Sequence, residues 1–446
     1  MAIINRRDFL KLGGAGAALA ACPGLHVAAA PGPFDDYRAL VCVFFFGGND
    51  SFNMLVPVSD AEYGVYAASR QNLAIPQDDL LPIQPLASDG TDYGLHPSMP
   101  EVQGLFESGR AAFVNNVGPL IQPVTKAAFQ AGSAVLPPQL FSHNDQQDQW
   151  HSLKGRNPTA TGWAGRIADL IRLEVSGQQL ATNASLFGNT LFQSASETVA
   201  YVMGPQGPVP FEGFGDSGIF LEQRRAFERI IGGEYGSIYE RGFADVQRRA
   251  VDAADRVSGA IAGAPELATA FPASQLGEQL RTVARLIAVR DELAMERQIF
   301  FVAAGGFDTH DDQAELQPGL LAGVSQAIAA FHAATVELGV ADSVTTFTQS
   351  DFGRTLTSNG DGTDHGWGGI QLVVGDAVRG RELYGAYPLL AIDGPEDVGG
   401  GRMIPSVSAD QYAATLARWF GIPDADLAQV APHIDNFIQR DLGFLL

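Results

Sequence analysis

The stretch Ala39-Leu40-Val41-Cys42-Val43-Phe44-Phe45-Phe46, closed by Gly47-Gly48-Asn49-Asp50-Ser51, is apolar at all of its first eight positions and ends on two glycines. A half-buried strand alternates apolar with polar residues. An unbroken apolar run bounded by glycines predicts instead a strand buried on both faces, as in a parallel sheet covered by helices. Similar runs recur at 111–117, at 299–304 before Gly305-Gly306, at 344–348 and at 370–374. Helical spacing fills 275–296, 311–338 and 408–420. Strands alternating with helices predict an α/β fold with a mostly parallel central sheet and helices on both faces. Right-handed crossovers then gather the strand ends at one edge.

Around this core, 217–262 turns rich in Arg, Glu and Ala at helical spacing, introduced by a Gly/Pro-rich loop over 204–214. It reads as a helical insertion in a single large domain covering 37–446. No repeat of fixed period and no low-complexity linker divides the chain.

Charge narrows the partners. The chain carries 28 Lys plus Arg against 50 Asp plus Glu, a formal net charge of -22. Without residues 1–30 the balance is 25 basic against 49 acidic. A nucleic-acid backbone is excluded as the natural partner, because phosphate contact needs a basic surface. A small anionic substrate is not excluded, since a bound metal inverts the local field.

The first thirty residues read as a leader. Asn5-Arg6-Arg7-Asp8-Phe9-Leu10-Lys11, the Gly/Ala run at 12–21 and Ala28-Ala29-Ala30 resemble a twin-arginine signal peptide. The expected partner is the twin-arginine export machinery, which carries folded proteins, and the expected compartment is the periplasm. Cleavage is expected after Ala30. Leu19-Ala20-Ala21-Cys22 also resembles a lipobox, so a lipid anchor through Cys22 stays open beside soluble release. No other apolar run reaches the roughly twenty residues of a membrane span, and no transmembrane segment is expected. The second cysteine, Cys42, lies within the first strand, where a small buried hydrophobe is expected and no disulfide.

In open α/β sheets, ligands bind beyond the carboxyl ends of the strands. Asp50 follows the first strand, Asp308-Thr309-His310 follows the run from 299, and Asp351 follows the run from 344. Asp364-His365-Gly366 stands just before the run at 370. An Asp after a strand is also an ordinary helix cap or turn residue. Recurrence is what points to a site: four Asp and two His on such loops supply mixed oxygen and imidazole ligands, suited to one or two zinc or manganese ions. Paired ions clamp the attacking and leaving oxygens of an in-line displacement.

Phe45-Phe46-Gly47-Gly48-Asn49-Asp50, Gly94-Leu95-His96-Pro97, Gly162-Trp163-Ala164-Gly165-Arg166, Gly305-Gly306-Phe307-Asp308-Thr309-His310, Ser350-Asp351-Phe352-Gly353-Arg354 and Gly362-Thr363-Asp364-His365-Gly366 occur in this order. Together they resemble the bacterial domain of unknown function 1501 family, a remote branch of the alkaline phosphatase and sulfatase superfamily. The resemblance covers about 37–446 and implies an alkaline-phosphatase-like core with a divalent metal cofactor. By position, Asp50, Asp308, His310 and Asp351 resemble its metal ligands, and Asp364 and His365 are expected to restore an imidazole from a neighbouring loop. Phe352 stands where the superfamily's Ser-Asp-His-Gly turn has a ligand His, and the spacing from Asp308 to His310 is shorter than usual there.

Ser142, in Leu140-Phe141-Ser142-His143-Asn144-Asp145, is expected either as a nucleophile at a helix start or as the cap of that helix, and Ser51 is the second candidate. His143 and His151 are read as orienting a leaving group or as surface residues, and His96 as lining the cleft or fixing a turn. Arg354 is expected to pair with an anionic substrate oxygen or with a structural carboxylate. No Gly-x-x-x-x-Gly-Lys phosphate loop, Gly-x-Ser-x-Gly elbow or Cys-x-x-Cys pair occurs. Two functions remain: an exported metal-dependent hydrolase of phosphate or sulfate esters, and a non-catalytic periplasmic binding or scaffold protein on the same fold.

Overall fold

The run that opens the chain's core forms a strand without a single exposed residue over Ala39–Phe45. Its odd and even side chains are both apolar because each face meets helices. The computed structural model describes residues 34–157, 159–208, 215 and 217–446. The expected leader, with Cys22, lies outside the described residues, as does part of the 204–214 loop.

Among the described residues, nine strands build the central sheet: β1 (Arg38–Phe45), β2 (Ala111–Gly118), β3 (Asn183–Ser185), β4 (Tyr201–Val202), β5 (Arg297–Ala304), β6 (Val344–Ser350), β7 (Gly369–Val374), β8 (Leu383–Tyr384) and β9 (Val407–Ser408). Their order is β8-β2-β7-β6-β1-β5-β3-β4, with β9 also on β2. β1 is central, parallel to β5 from Arg38↔Arg297 to Phe45↔Ala304 and to β6 from Ala39↔Val344 to Phe45↔Ser350.

One face of β1, through Val41, Val43 and Phe45, packs into the cluster shared with helices Gln275–Ala288 and Gln313–Glu337. On the other, Phe44 meets His151 of helix His143–Ser152, and Phe347 of β6 lies between Trp163 of helix Trp163–Ile171 and Tyr412 of helix Ala409–Phe420. The fold is therefore α/β, mostly parallel and covered on both faces, as the sequence predicts. Cys42 is buried and free.

One sequence expectation shifts. The helix expected over 275–296 stops at Ala288, and Ala294 then takes a left-handed φ of 50°, which no helix interior accepts. Among the described residues, helix Gln313–Glu337 is long and apolar enough by length and composition to cross a membrane, although no such segment was expected. Its Leu321, Val324, Ile328 and Phe331 are buried in the core. Helices Gly218–Ile231 and Ile238–Gly263 pack on each other, and the second sends Val257, Ala260 and Ile261 into the same core.

One strand departs from the parallel rule. β7 runs antiparallel to both neighbours, pairing Gly369↔Val117 with β2 and Val373↔Phe347 with β6. A parallel return needs a crossover of a dozen or more residues, usually helical, whereas an antiparallel return needs only a turn. Here residues 351–368 form a small hairpin, Arg354–Ser358 against Thr363–His365, around the turn signal Asn359-Gly360-Asp361-Gly362. The inversion puts the beginning of β7 at the edge where β1, β5 and β6 end. Asp364 and His365, which precede a strand, thereby join Asp308 and Asp351, which follow one.

Candidate metal centre

Two loops meet at the end of β1. Gly47 has φ +115, and a Cβ there would stand 2.2 Å from the backbone nitrogen of Asp308. A Cβ on Gly48 would strike the Phe352 ring at 2.4 Å. The glycine pair is thus what lets the loops after β5 and β6 close on β1. Phe307 anchors its loop against Phe45, ring centroids 4.9 Å apart.

Asp308, with 44% of its side chain exposed, sits at the centre of what these loops assemble. Its Oδ1 lies 3.0 Å from His310 Nε2 and 3.4 Å from His365 Nε2, and its Oδ2 lies 3.3 Å from His143 Nε2. His310 Nε2 and His365 Nε2 are themselves 2.9 Å apart. The donor atoms of His143, Asp308 and His365 all fall within 4.8 Å of one another.

What lies behind each imidazole fixes its tautomer. His143 Nδ1 is 2.6 Å from Asp351 Oδ2, His365 Nδ1 is 2.7 Å from the Phe141 carbonyl, and His310 Nδ1 is 3.2 Å from Asp364 Oδ1. All three partners are acceptors, so with a cation at the centre Nδ1 would carry the proton and the neutral ring would present a lone pair at Nε2. In that tautomer three lone pairs face the Asp308 carboxylate, at 3.0, 3.4 and 3.3 Å, with no proton between them. His143 Nε2 is buried and makes no hydrogen bond. Acceptors so arranged repel unless a cation or an added proton joins them. A tetrahedral ion with ligands at about 2.0–2.1 Å spaces its donors by roughly 3.3–3.4 Å, close to the 3.0, 3.4 and 3.3 Å between Asp308 and the three imidazoles. The residues fit a divalent metal.

The local field is mixed. The hydrogen bond to Asp351 leads in raising the His143 pKa, with the charges of Asp351 and Asp308 adding to it. Burial, the main cause, lowers that of His365, and the neighbouring His143 and Arg354 lower it further. Burial pushes the Asp308 carboxyl up, but the Arg354 hydrogen bond and charge, with His143 and His310, outweigh it and leave the group more acidic than usual. Phe352 stacks on His365 at 4.6 Å and lies 4.8 Å from the His143 ring, walling both imidazoles.

Of the residues singled out in the sequence, Asp308, His310, Asp364 and His365 come together, with Asp351 one imidazole further back. Asp50 does not touch the imidazoles among the described residues. It is buried, its Oδ2 held by Arg70 and the Gln313 amide, and it reaches the cluster indirectly, through Gln313 to Thr309 and Thr363 and through Arg70 to Thr355. Arg354 is fully buried and donates to Asp308 Oδ1 and the Gly47 carbonyl, both at 2.9 Å, and to Thr363. It holds Asp308 in place. Ser142 precedes helix His143–Ser152, but its Oγ donates to Asp145 Oδ2 at 2.6 Å rather than capping the helix. Ser51 Oγ accepts from the Ile370 amide. His96 accepts from the Ser98 amide and is pushed down to about 4 by burial. His151 is buried among Phe44, Phe192 and Phe301.

Sequence reasoning gave His143 no ligand role. Its available signal was the position at the first turn of a helix after a Gly/Pro-rich connection. Nothing in that position announces a partner 208 residues away.

No curated protein matches the chain by sequence. Among solved structures, PsFucS1 sulfatase from Pseudoalteromonas sp. is similar at 12% identity over 99% of this chain and 77% of that one, with a TM-score of 0.35. The phosphonate monoester hydrolase SpPMH from Silicibacter pomeroyi is similar at 10% identity, 86% and 73% coverage and a TM-score of 0.35. Ps i-CgsB in complex with k-i-k-neocarrahexaose gives 11% identity, 90% and 77% coverage and a TM-score of 0.31. Residues 4–21 match the TAT (twin-arginine translocation) pathway signal sequence. Residues 37–428 match the model described as Protein of unknown function (DUF1501), and since that match takes in most of the chain, the protein belongs to the DUF1501 family.

Proposed function

We propose that the protein is an exported, metal-dependent hydrolase of phosphate or sulfate esters, working in the periplasm. The observation that carries the metal reading is the convergence of Nε2 from His143, His310 and His365 on the Asp308 carboxylate, each ring oriented by an acceptor behind it. The ester class rests on the resemblance of the loop motifs, above all Ser350-Asp351-Phe352-Gly353-Arg354, to those of the alkaline phosphatase and sulfatase superfamily. Three imidazole nitrogens and one carboxylate suit zinc better than an ion that prefers an all-oxygen shell.

A divalent ion held by these residues would supply Lewis acidity toward an ester oxygen. The chain's own residues do the rest. Arg354 keeps Asp308 ionised and oriented. Ser142 lies between Phe141, whose carbonyl orients His365, and His143. As nucleophile, Ser142 would give its hydroxyl proton to Asp145, the acceptor it already faces at 2.6 Å, as its oxygen bonds to phosphorus or sulfur. Asp145 would return that proton to the departing alcohol, and water would then release phosphate or sulfate from the serine. Phe352 and the buried Asp351 exclude water behind the imidazoles.

A second reading, a non-catalytic binding or scaffold protein on the same fold, is favoured by one observation: the Phe352 ring fills a wall of the site that a polar group would otherwise offer to a ligand. Elemental analysis of natively exported protein tests the metal. About one equivalent of divalent metal is expected, lost in Asp308→Ala with His365→Ala, and folded protein without metal overturns the proposal. A panel of 4-nitrophenyl phosphate and sulfate esters separates the readings: turnover by wild type and none by Ser142→Ala supports the hydrolase.

A further inference from the structure

We infer that Asp351 is not a ligand but the residue that sets His143 as one, and that the centre takes a single nitrogen-preferring divalent cation. The inference rests on the metal reading above. Asp351 closes β6 and is wholly buried. Its Oδ2 already accepts from three donors: His143 Nδ1 at 2.6 Å, the Gly47 amide at 3.1 Å and the Gln147 side-chain amide at 3.1 Å. Its Oδ1 is buried and makes no hydrogen bond. Among the described residues Oδ1 does not join the donor atoms of His143, Asp308 and His365 that lie within 4.8 Å of one another, and Oδ2, with three donors, has no lone pair left for a metal. The same three contacts make it a rigid acceptor, fixed from β1 through Gly47 and from helix His143–Ser152 through Gln147.

The consequence for His143 follows from tautomer chemistry. A carboxylate on Nδ1 holds the proton there, frees the Nε2 lone pair toward Asp308 and raises the ring's basicity as a ligand. Asp364 does the same for His310, more loosely at 3.2 Å and with half its side chain exposed. The Phe141 carbonyl does it for His365. Of the four aspartates the sequence offers as ligands, only Asp308 then faces the ion directly. Asp50 gives no second ion a site: its Oδ2 is taken by the Arg70 guanidinium and the Gln313 amide, and among the described residues no group of His, Cys, Asp or Glu donors converges with it. The centre accordingly has the donors for one ion.

Cobalt(II) titration of the metal-stripped, full-length mature protein tests this, because its d–d absorption reports the ligands while the titration reports affinity. For Asp351→Asn the expected result is a 10- to 100-fold weaker affinity, about the range for loss of such partners, with an unchanged spectrum. Asp308→Asn and His143→Gln are expected to change the spectrum itself. Thermal melts of the stripped variants confirm folding. As a second readout, 15N spectra of imidazoles in the stripped wild type are expected to show His143 protonated at Nδ1, and Asp351→Ala to lose that preference. A spectrum altered by Asp351→Asn as much as by Asp308→Asn makes Asp351 a ligand and overturns the inference. So does wild-type affinity in Asp351→Asn. Wild-type protein that binds no cobalt or zinc removes the metal reading itself, a different outcome from either.

Discussion

The guanidinium of Arg70 and the carboxylate of Asp50 form an ion pair sealed from solvent, with 0% and 1% of their side chains exposed. Arg70 also donates to the Thr355 and Leu356 carbonyls, tying the loop after β1 to the hairpin that precedes β7. Removing one partner of such a pair leaves an uncompensated buried charge. Arg70→Met is expected to cost about 3–5 kcal/mol in urea unfolding, and the double variant with Asp50→Asn to regain part of that. A loss below about 1 kcal/mol in the single variant would mean that Asp50 finds another cation.

Metal addition should be visible in stability before any substrate is known. An ion bound only by the folded state at a hundred times its dissociation constant stabilises by about 2.7 kcal/mol. Stripped wild-type protein is expected to melt higher when zinc is added, and Asp308→Ala with His365→Ala to show no shift. An equal shift in both proteins would place the ion elsewhere.

His151 sets an acid limit. Its ring is buried among phenylalanines, its Nε2 makes no hydrogen bond, and burial pushes its pKa down to about 3. A depressed folded-state pKa gives stability that is present above the unfolded value near 6.5 and lost as pH falls toward 3, at up to about 1.4 kcal/mol per pH unit. His151→Leu is expected to flatten the fall in urea midpoint between pH 6.5 and 4. An unchanged slope would assign the acid sensitivity to other groups.

Close backbone contact holds the hairpin on the site. A Cβ on Gly362 would stand 2.2 Å from the Thr309 carbonyl oxygen and 2.4 Å from the His310 carbonyl carbon, whereas one on exposed Gly305 would meet nothing within 4 Å. Gly362→Ala is expected to cost about 1–3 kcal/mol and to weaken zinc binding, as His310 is pushed from His365. Gly305→Ala is expected to stay within about 0.5 kcal/mol. Equal effects, read by unfolding and zinc titration, would show that the contact is not what seats His310.

The sheet was legible because burial on both faces leaves an unmistakable mark: Ala39 to Phe46 can be little else than an inner strand. Strand direction leaves no such mark. The run at 370–374 reads the same either way, and only the absence of helix-forming sequence between it and β6 hints at the reversal that delivers Asp364 and His365. Within the site, residue types and loops could be read, but not their division of labour. Asp308 and Asp351 look alike in sequence, both following a buried strand before a turn. Arg354 and His143 separate them, and those contacts span 46 and 208 residues. Arg70 carried no signal, since its partner lies on another element and the pair exists only in the folded core.

β1 has a further consequence, in the timing of synthesis. Both of its neighbours, β5 and β6, come late in the chain, and Phe45 waits for Ser350, 305 residues on, to complete its pairing. At about 5–20 residues per second that interval lasts roughly 15–60 s, during which the most apolar strand has two open edges. A ribosome-bound chain of this kind calls for a chaperone on residues 39–46. The centre closes only after residue 365 has emerged, so any ion it holds must be acquired by a nearly finished protein.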